Sequence, residues 1–196
     1  MTVLRPGLLL DRDGVLISDV HLLVEPSDVI LEPGAADAIR SAQIAGLAVA
    51  VVTNQTVVSR GLCSEEQVTR VNRRIEDLLA KQGCKALDGF YVCPHHPNAT
   101  VGQYRIRCHC RKPEPGLLLH AAQTLALDLQ RTFLVGDRPS DILAGQRAGC
   151  RTVLVTSGRH LDPPIVGVQL GVTPEADFTF SSLLEAMPTI LEELQR

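Results

Sequence analysis

Solidly apolar runs alternate with amphipathic ones along the chain. GLLLD (7–11), LAVAVVTNQ (47–55), GFYVC (89–93), TFLVGD (132–137) and RTVLV (151–155) are short and largely unbroken, the pattern of strands buried on both faces of a parallel sheet. Between them, PGAADAIRSAQIAG (33–46) opens on proline and closes on glycine, which predicts a helix. SEEQVTRVNRRIEDLLAKQG (64–83) predicts a long amphipathic helix capped by its serine, and EPGLLLHAAQTLAL (114–127) and PSDILAGQRAG (139–149) predict two more. A short strand near DFTF (177–180) and a helix from about Ser181 to Leu194 close the chain. The Gly- and Pro-rich segment 157–177 predicts a surface excursion. The βα repeat with short connections predicts one α/β domain over residues 1–196, a doubly wound, mostly parallel, Rossmann-like sheet.

Composition narrows the class. Hydrophobic residues make up 45% of the 196 positions, enough for a substantial core, but only 3% are aromatic, so that core must be aliphatic. A net charge of −3 argues against a nucleic-acid binder, which needs a basic patch or stripe. No apolar run reaches membrane-spanning length, and MTVLRPG is too short to contain a signal segment. The expectation is a cytoplasmic protein without a disulfide framework. A monomer is expected, since no long exposed apolar helix face demands a partner.

In doubly wound sheets ligands sit beyond the carboxyl ends of the strands, near the point where strand order reverses. Here four strands deliver polar residues to those ends: Asp11 with Asp13, Thr53 with Asn54, Cys93, and Asp137. An isolated DxDG is commonly a turn cap. Two acidic clusters at neighbouring strand ends, with Asp141 on the first turn of the next helix, would however repel without a cation between them. Oxygen-only ligands favour Mg²⁺. No GxxxxGK[ST] run is present and no GxGxxG follows the first strand, so P-loop and dinucleotide chemistry lose their signatures. What remains is a carboxylate able to attack phosphorus, a second acid to move protons, and a hydroxyl and a lysine, Thr53 and Lys112, to hold phosphoryl oxygens.

CPHHPNATVGQYRIRCHC (93–110) concentrates three cysteines and three histidines. A lone CxC is usually two unligated thiols, but Cys93-x-His95 and Cys108-x-Cys110 together supply the four soft ligands of a structural Zn²⁺ site. His96 and His109 are rivals for that coordination; their alternation with the other ligands turns them outward or behind the site. Three sulfurs and an imidazole leave no open position, so the metal would be structural, clipping a loop that ends just before Arg111 and Lys112.

DRDG, VVTNQ, RKP and VGDRPSD occur in the order and placement seen in phosphatases of the haloacid dehalogenase-like superfamily, which the chain resembles over residues 7–156. The resemblance implies Asp11 as nucleophile, Asp13 as acid/base, and Thr53 and Lys112 as phosphoryl-binding groups. It implies Mg²⁺ held by Asp11, the backbone carbonyl of Asp13 and Asp137, with Asp141 in support. The short segments after Asp13 and between Asn54 and Arg111 leave no room for a large cap. CPHHP followed by CHCRKP resembles the zinc-loop branch, which contains the heptose 1,7-bisphosphate 7-phosphatases and the histidinol-phosphate phosphatases. RKP directly after CxC is closer to the former, implying loss of the 7-phosphate of a phosphorylated sugar on the route to surface polysaccharide. By the same resemblance Arg111, Asp19, Val20, His21, Leu22, Asn54, Gln55, Thr56 and Arg60 would meet the substrate. The rim departs from that branch at DRDGVLISDVHLLV and TVVSRG. A histidinol-phosphate phosphatase would want acids at the rim, for which Asp19 and Glu25 are candidates. A zinc-clipped binding protein without activity would not need the complete set Asp11, Asp13, Thr53, Lys112 and Asp137.

Overall fold

The computed structural model describes residues 3–158 and 174–195. Six parallel strands form one sheet: β1 (Arg5–Leu10), β2 (Ala48–Asn54), β3 (Gly89–Cys93), β4 (Leu127–Gly136), β5 (Arg151–Val155) and β6 (Phe178–Phe180), in the order β3-β2-β1-β4-β5-β6. The helices are α1 (Ala35–Ile44), α2 (Thr56–Ser59), α3 (Glu65–Lys81), α4 (Gly116–Leu125), α5 (Pro139–Ala148) and α6 (Leu183–Glu193).

Side-chain alternation along the strands explains the two helical layers. Leu8 and Leu10 of β1, Val49 and Val51 of β2, and Phe133 and Val135 of β4 pack against α1, α3 and α6 through Ile39, Ile75 and Ile190. Leu9, Ala50 and Leu134 face the other way, onto Leu118 of α4 and Ala144 of α5. β2 alternates Ala with Val, and its alanines all turn to the α4/α5 side, where small side chains let that layer approach closely. The unbroken apolar runs are thus strands covered on both faces.

Helix ends follow local chemistry. Ser64 accepts a hydrogen bond from the Gln67 N–H at 3.2 Å to cap α3, whose first turn carries Glu65 and Glu66 and whose last carries Lys81. Gly149 ends α5 in the left-handed conformation, at φ 82°.

The structure departs from the sequence pattern in two places. β4 begins at Leu127, five residues before the predicted start, because its pairing with β1 breaks register between Arg5 and Gly7 and loops Asp128–Arg131 out of the ladder. Polar residues in that bulge hide the strand from a periodicity reading. The one-turn helix α2, directly after β2, was also not predicted; four residues carry no readable period. The predicted excursion 157–177 lies mostly outside the described residues.

Strand order reverses at β1, which has β2 on one side and β4 on the other. The carboxyl ends of these three strands carry Asp11, Thr53 and Asp137 to one place.

Candidate active site

Asp11 leaves β1 with its N–H still bonded to the Val135 carbonyl of β4 at 2.9 Å, which continues the ladder and fixes its direction. Its Oδ1 accepts from the Arg12 N–H at 2.8 Å and forms an ion pair with Lys112 Nζ at 2.9 Å. The chain then turns through Gly14 at φ 82°. A Cβ on Gly14 would stand 2.5 Å from Asp137 Oδ2, so glycine is needed both for the turn and for the approach of β1's loop to β4's acid. Gly14→Ala is expected to cost about 1–2 kcal/mol in backbone strain and to depress activity further by pushing Asp137 aside. Thermal denaturation and phosphate release on the same sample check both effects.

Lys112 is wholly buried; its ammonium donates to the Val52 carbonyl at 2.8 Å and forms ion pairs with Asp11 Oδ1 at 2.9 Å and Asp141 Oδ1 at 2.7 Å. Burial works against its charge, but the two carboxylates more than reverse this and hold it protonated. Burial pushes Asp141 in the protonated direction against the pull of Lys112, and neighbouring Asp11 adds to that push. Asn54 sets the lysine's backbone in place: its amide nitrogen donates to the Lys112 carbonyl at 3.0 Å and its oxygen accepts from the Lys112 N–H at 3.1 Å. This tie between the end of β2 and the end of the Cys/His loop has no short-range signature in the chain.

Asp11, Asp137 and Asp141 are all buried, with carboxylate oxygens within 4.8 Å of one another. Mg²⁺ takes oxygen ligands at about 2.1 Å, and the all-oxygen chemistry of this buried, converging set suits that ion. Arg138 lies over the acids, 3.2 Å from Asp19 and 3.8 Å from Asp137. Burial disfavours its charge, while Asp137 and the neighbouring carboxylates outweigh that and raise its pKa.

Asp13 is held differently. Arg12, 1% exposed, donates through Nη2 to Asp13 Oδ1 and through Nε to Oδ2, each at 3.1 Å. Gln55 Nε2 donates to the same Oδ2 at 2.8 Å and to Thr53 Oγ1 at 2.9 Å. Nothing in the chain flags Arg12 except its place between two acids.

One cavity joins these groups to the expected rim. Asp11, Asp13, Thr53 and Lys112 line it, as do Asp19, His21, Leu22, Asn54, Gln55, Thr56, Arg60 and Arg111. Val20, expected at the rim, is not in its wall and is 38% exposed. Its neighbours Asp19 and His21 line the cavity instead. The wall also includes Arg138, Ser140 and His96, which the sequence reading did not place there. His96 was expected to turn outward or behind the metal ligands; instead it faces the cavity, and the Asn98 N–H donates to its Nδ1 at 3.0 Å. Burial, with Arg111 and Arg60 nearby, lowers its pKa and favours the neutral ring.

Cys93, His95, Cys108 and Cys110 converge. Their sulfurs stand 3.2, 3.2 and 3.6 Å apart, and His95 Nδ1 is 3.4 Å from Cys110 Sγ and 3.7 Å from Cys93 Sγ. A tetrahedron with Zn–S near 2.3 Å and Zn–N near 2.0 Å has edges of about 3.5–3.8 Å; the cluster fits, drawn in slightly. The chain leaves the cluster straight into Arg111, whose Nη1 donates to the carbonyl of His95 at 3.1 Å. His109 is exposed, outside the cluster.

Residues 109–186 match the model of the HAD-hydrolase-like family. A D-glycero-β-D-manno-heptose-1,7-bisphosphate 7-phosphatase of Photorhabdus laumondii is 39% identical over 163 residues, covering 83% of this chain and 86% of the relative. The Escherichia coli K12 enzyme of the same name is 34% identical over 192 residues, covering 97% and 96%. The crystal structure of D,D-heptose 1,7-bisphosphate phosphatase from B. bronchiseptica, complexed with magnesium and phosphate, superposes with a TM-score of 0.79 at 31% identity, covering 95% of this chain and 99% of that one. With the acids, the hydroxyl and the lysine gathered at the reversal of a HAD-like sheet, and with relatives matched over nearly their whole length, the chain belongs to the D-glycero-β-D-manno-heptose-1,7-bisphosphate 7-phosphatase family of HAD-like phosphatases.

Proposed function

We infer that the protein removes the 7-phosphate of D-glycero-β-D-manno-heptose 1,7-bisphosphate and leaves the 1-phosphate. The observation that carries this reading is a single cavity with nucleophile, acid and phosphoryl-binding groups at its floor and a second set of cations, Arg60, Arg111 and Arg138, in its wall. A substrate with a phosphate at each end matches both. Asp11, pinned by the Arg12 N–H and Lys112, presents its remaining carboxylate oxygen as nucleophile and forms an aspartyl phosphate. Asp13 protonates the departing sugar oxygen and then takes a proton from the water that frees the phosphate. Thr53 and Lys112 bind the phosphoryl oxygens. Asp11, Asp137 and the Asp13 carbonyl would hold Mg²⁺, with Asp141 in support. When bound, that ion would screen the carboxylates from the incoming phosphate and offset charge on the transferring group. Cys93, His95, Cys108 and Cys110 would hold Zn²⁺ as a structural clip.

Histidinol phosphate fits less well. The rim acid Asp19 is already paired with Arg138, and Glu25 lies outside the cavity wall. A substrate ammonium would meet arginines instead. A phosphate-release screen over both anomers of heptose 1,7-bisphosphate, other sugar bisphosphates and histidinol phosphate tests the reading. One equivalent of phosphate and fastest turnover with the β anomer is expected. Faster turnover of histidinol phosphate, or two equivalents from the bisphosphate, would overturn it.

A further inference from the structure

We propose that Gln55, locked in one orientation by Arg12, is a positioning residue that sets the polarity of the Thr53 hydroxyl so that its proton is aimed at the phosphoryl group. The inference rests on Thr53 meeting that group, and it adds a role for two residues beside it.

A guanidinium donates hydrogen bonds and accepts none. Arg12 Nη2 lies 2.9 Å from one polar atom of the Gln55 amide, so that atom must be the carbonyl oxygen. The opposite end, the NH₂, is thereby turned toward Asp13 Oδ2 at 2.8 Å and Thr53 Oγ1 at 2.9 Å. Arg12 is itself held, by the Asp13 carboxylate on one side and by Asn72 Oδ1 of α3 at 3.3 Å on the other. Gln55 is 4% exposed and Arg12 1%, so solvent offers neither an alternative partner. The amide cannot flip without setting its NH₂ against the guanidinium and its carbonyl against a carboxylate, each a buried mismatch of about 1–3 kcal/mol.

The consequence falls on Thr53. A threonine hydroxyl has one proton to donate and two lone pairs. Because Gln55 donates to Oγ1, that contact consumes a lone pair and leaves the proton for another acceptor. Thr53 is 1% exposed and lines the cavity above Asp11, where the acceptor supplied during turnover is a phosphoryl oxygen. With the amide reversed, the Gln55 carbonyl would draw that proton away, and the hydroxyl would meet the phosphoryl group lone pair first. The same NH₂ fixes Asp13, so one amide orients both groups for the transition state before substrate arrives.

Gln55→Glu keeps the shape and the Arg12 contact but replaces the NH₂ with an acceptor. Turnover of p-nitrophenyl phosphate isolates the chemical step from recognition of any sugar. The expected result is a fall in kcat of about 100-fold with KM nearly unchanged. Thr53→Val, costly in the wild type, should then cost less than about threefold in the Gln55→Glu background, because its proton is already misdirected. Arg12→Lys, which keeps the charge but loses the fork, should give the same kcat-selective loss. Wild-type kcat in Gln55→Glu, or an equal cost of Thr53→Val in both backgrounds, would overturn the proposal. Should Gln55→Glu not fold, Gln55→Met removes both amide groups at similar volume; a kcat within about twofold of wild type would overturn it equally. A wild-type Thr53→Val that loses no activity would instead sink the assignment of Thr53 to the phosphoryl group, a separate failure.

Discussion

Asp11→Asn is expected to release phosphate at least about 10⁴-fold more slowly than the wild type, equivalent to about 5.5 kcal/mol in the barrier. The asparagine keeps the size of the side chain and a carbonyl to accept the Arg12 N–H, now bonded at 2.8 Å. It lacks the charged oxygen that attacks phosphorus, and no neighbour can replace it. Asp13 is gripped on both oxygens by Arg12, and Asp141 is paired with Lys112. Removing one of the carboxylates around Lys112 relieves some acid–acid repulsion while costing one ion pair, so the melting temperature should move little. The check is a phosphate-release assay together with acid-quenched trapping of the phosphoenzyme, which the variant should not form. Turnover within tenfold of wild type would remove Asp11 from the chemistry.

Loss of the proposed metal clip should act mainly on binding. Cys110→Ser or chelator treatment is expected to release about one zinc per chain, measured by elemental analysis, and to loosen residues 93–110. The first group to feel it is Arg111, whose guanidinium is tied to the backbone carbonyl of His95, one of the four clustered residues, at 3.1 Å. Charge-assisted hydrogen bonds of this kind contribute about 1.5–3 kcal/mol, so KM for a sugar bisphosphate should rise about 10- to 100-fold. Lys112 is buffered, because Asn54 holds its backbone from β2 and two carboxylates hold its ammonium. The turnover of a simple monophosphate should therefore fall much less. An unchanged KM in zinc-free protein would separate the clip from substrate recognition.

Much of the fold was legible because most strands had their own unbroken apolar run. β3 and β5 start and stop where those runs do. The start of β4 was not, since its first half is polar and belongs to the strand only through a register break against β1. The candidate site was legible wherever a residue sits within two positions of a strand end, as Asp11, Thr53 and Asp137 do. Asp13 and Lys112 were reached through motif spacing. Arg12, Asn72 and the inward face of His96 were not legible. Arg12 reads as any surface arginine until β2 and α3 close over it and bring Gln55 and Asn72 within reach.

Composition and order along the chain thus determined which groups exist and which strand carries each: acids just after β1 and β4, a hydroxyl at the end of β2, and sulfur and imidazole at and just after the end of β3. These are local properties, set by the period of the pattern and by turn chemistry within a few residues. Only the tertiary structure decided how those groups divide their protons and charges. Lys112 sits between the carboxylates of Asp11 and Asp141, Asn54 holds the lysine's backbone, Gln55 turns its NH₂ to Thr53, and His96 faces the cavity. Asn54 lies 58 residues from Lys112 and Arg12 lies 43 from the Gln55 it orients, and Arg12, Gln55, Thr53 and Lys112 are buried, which leaves water little share in their bonding. Among buried groups such as these, hydrogen-bond direction is settled by which donor lies opposite which acceptor, and that is a property of packing rather than of sequence spacing.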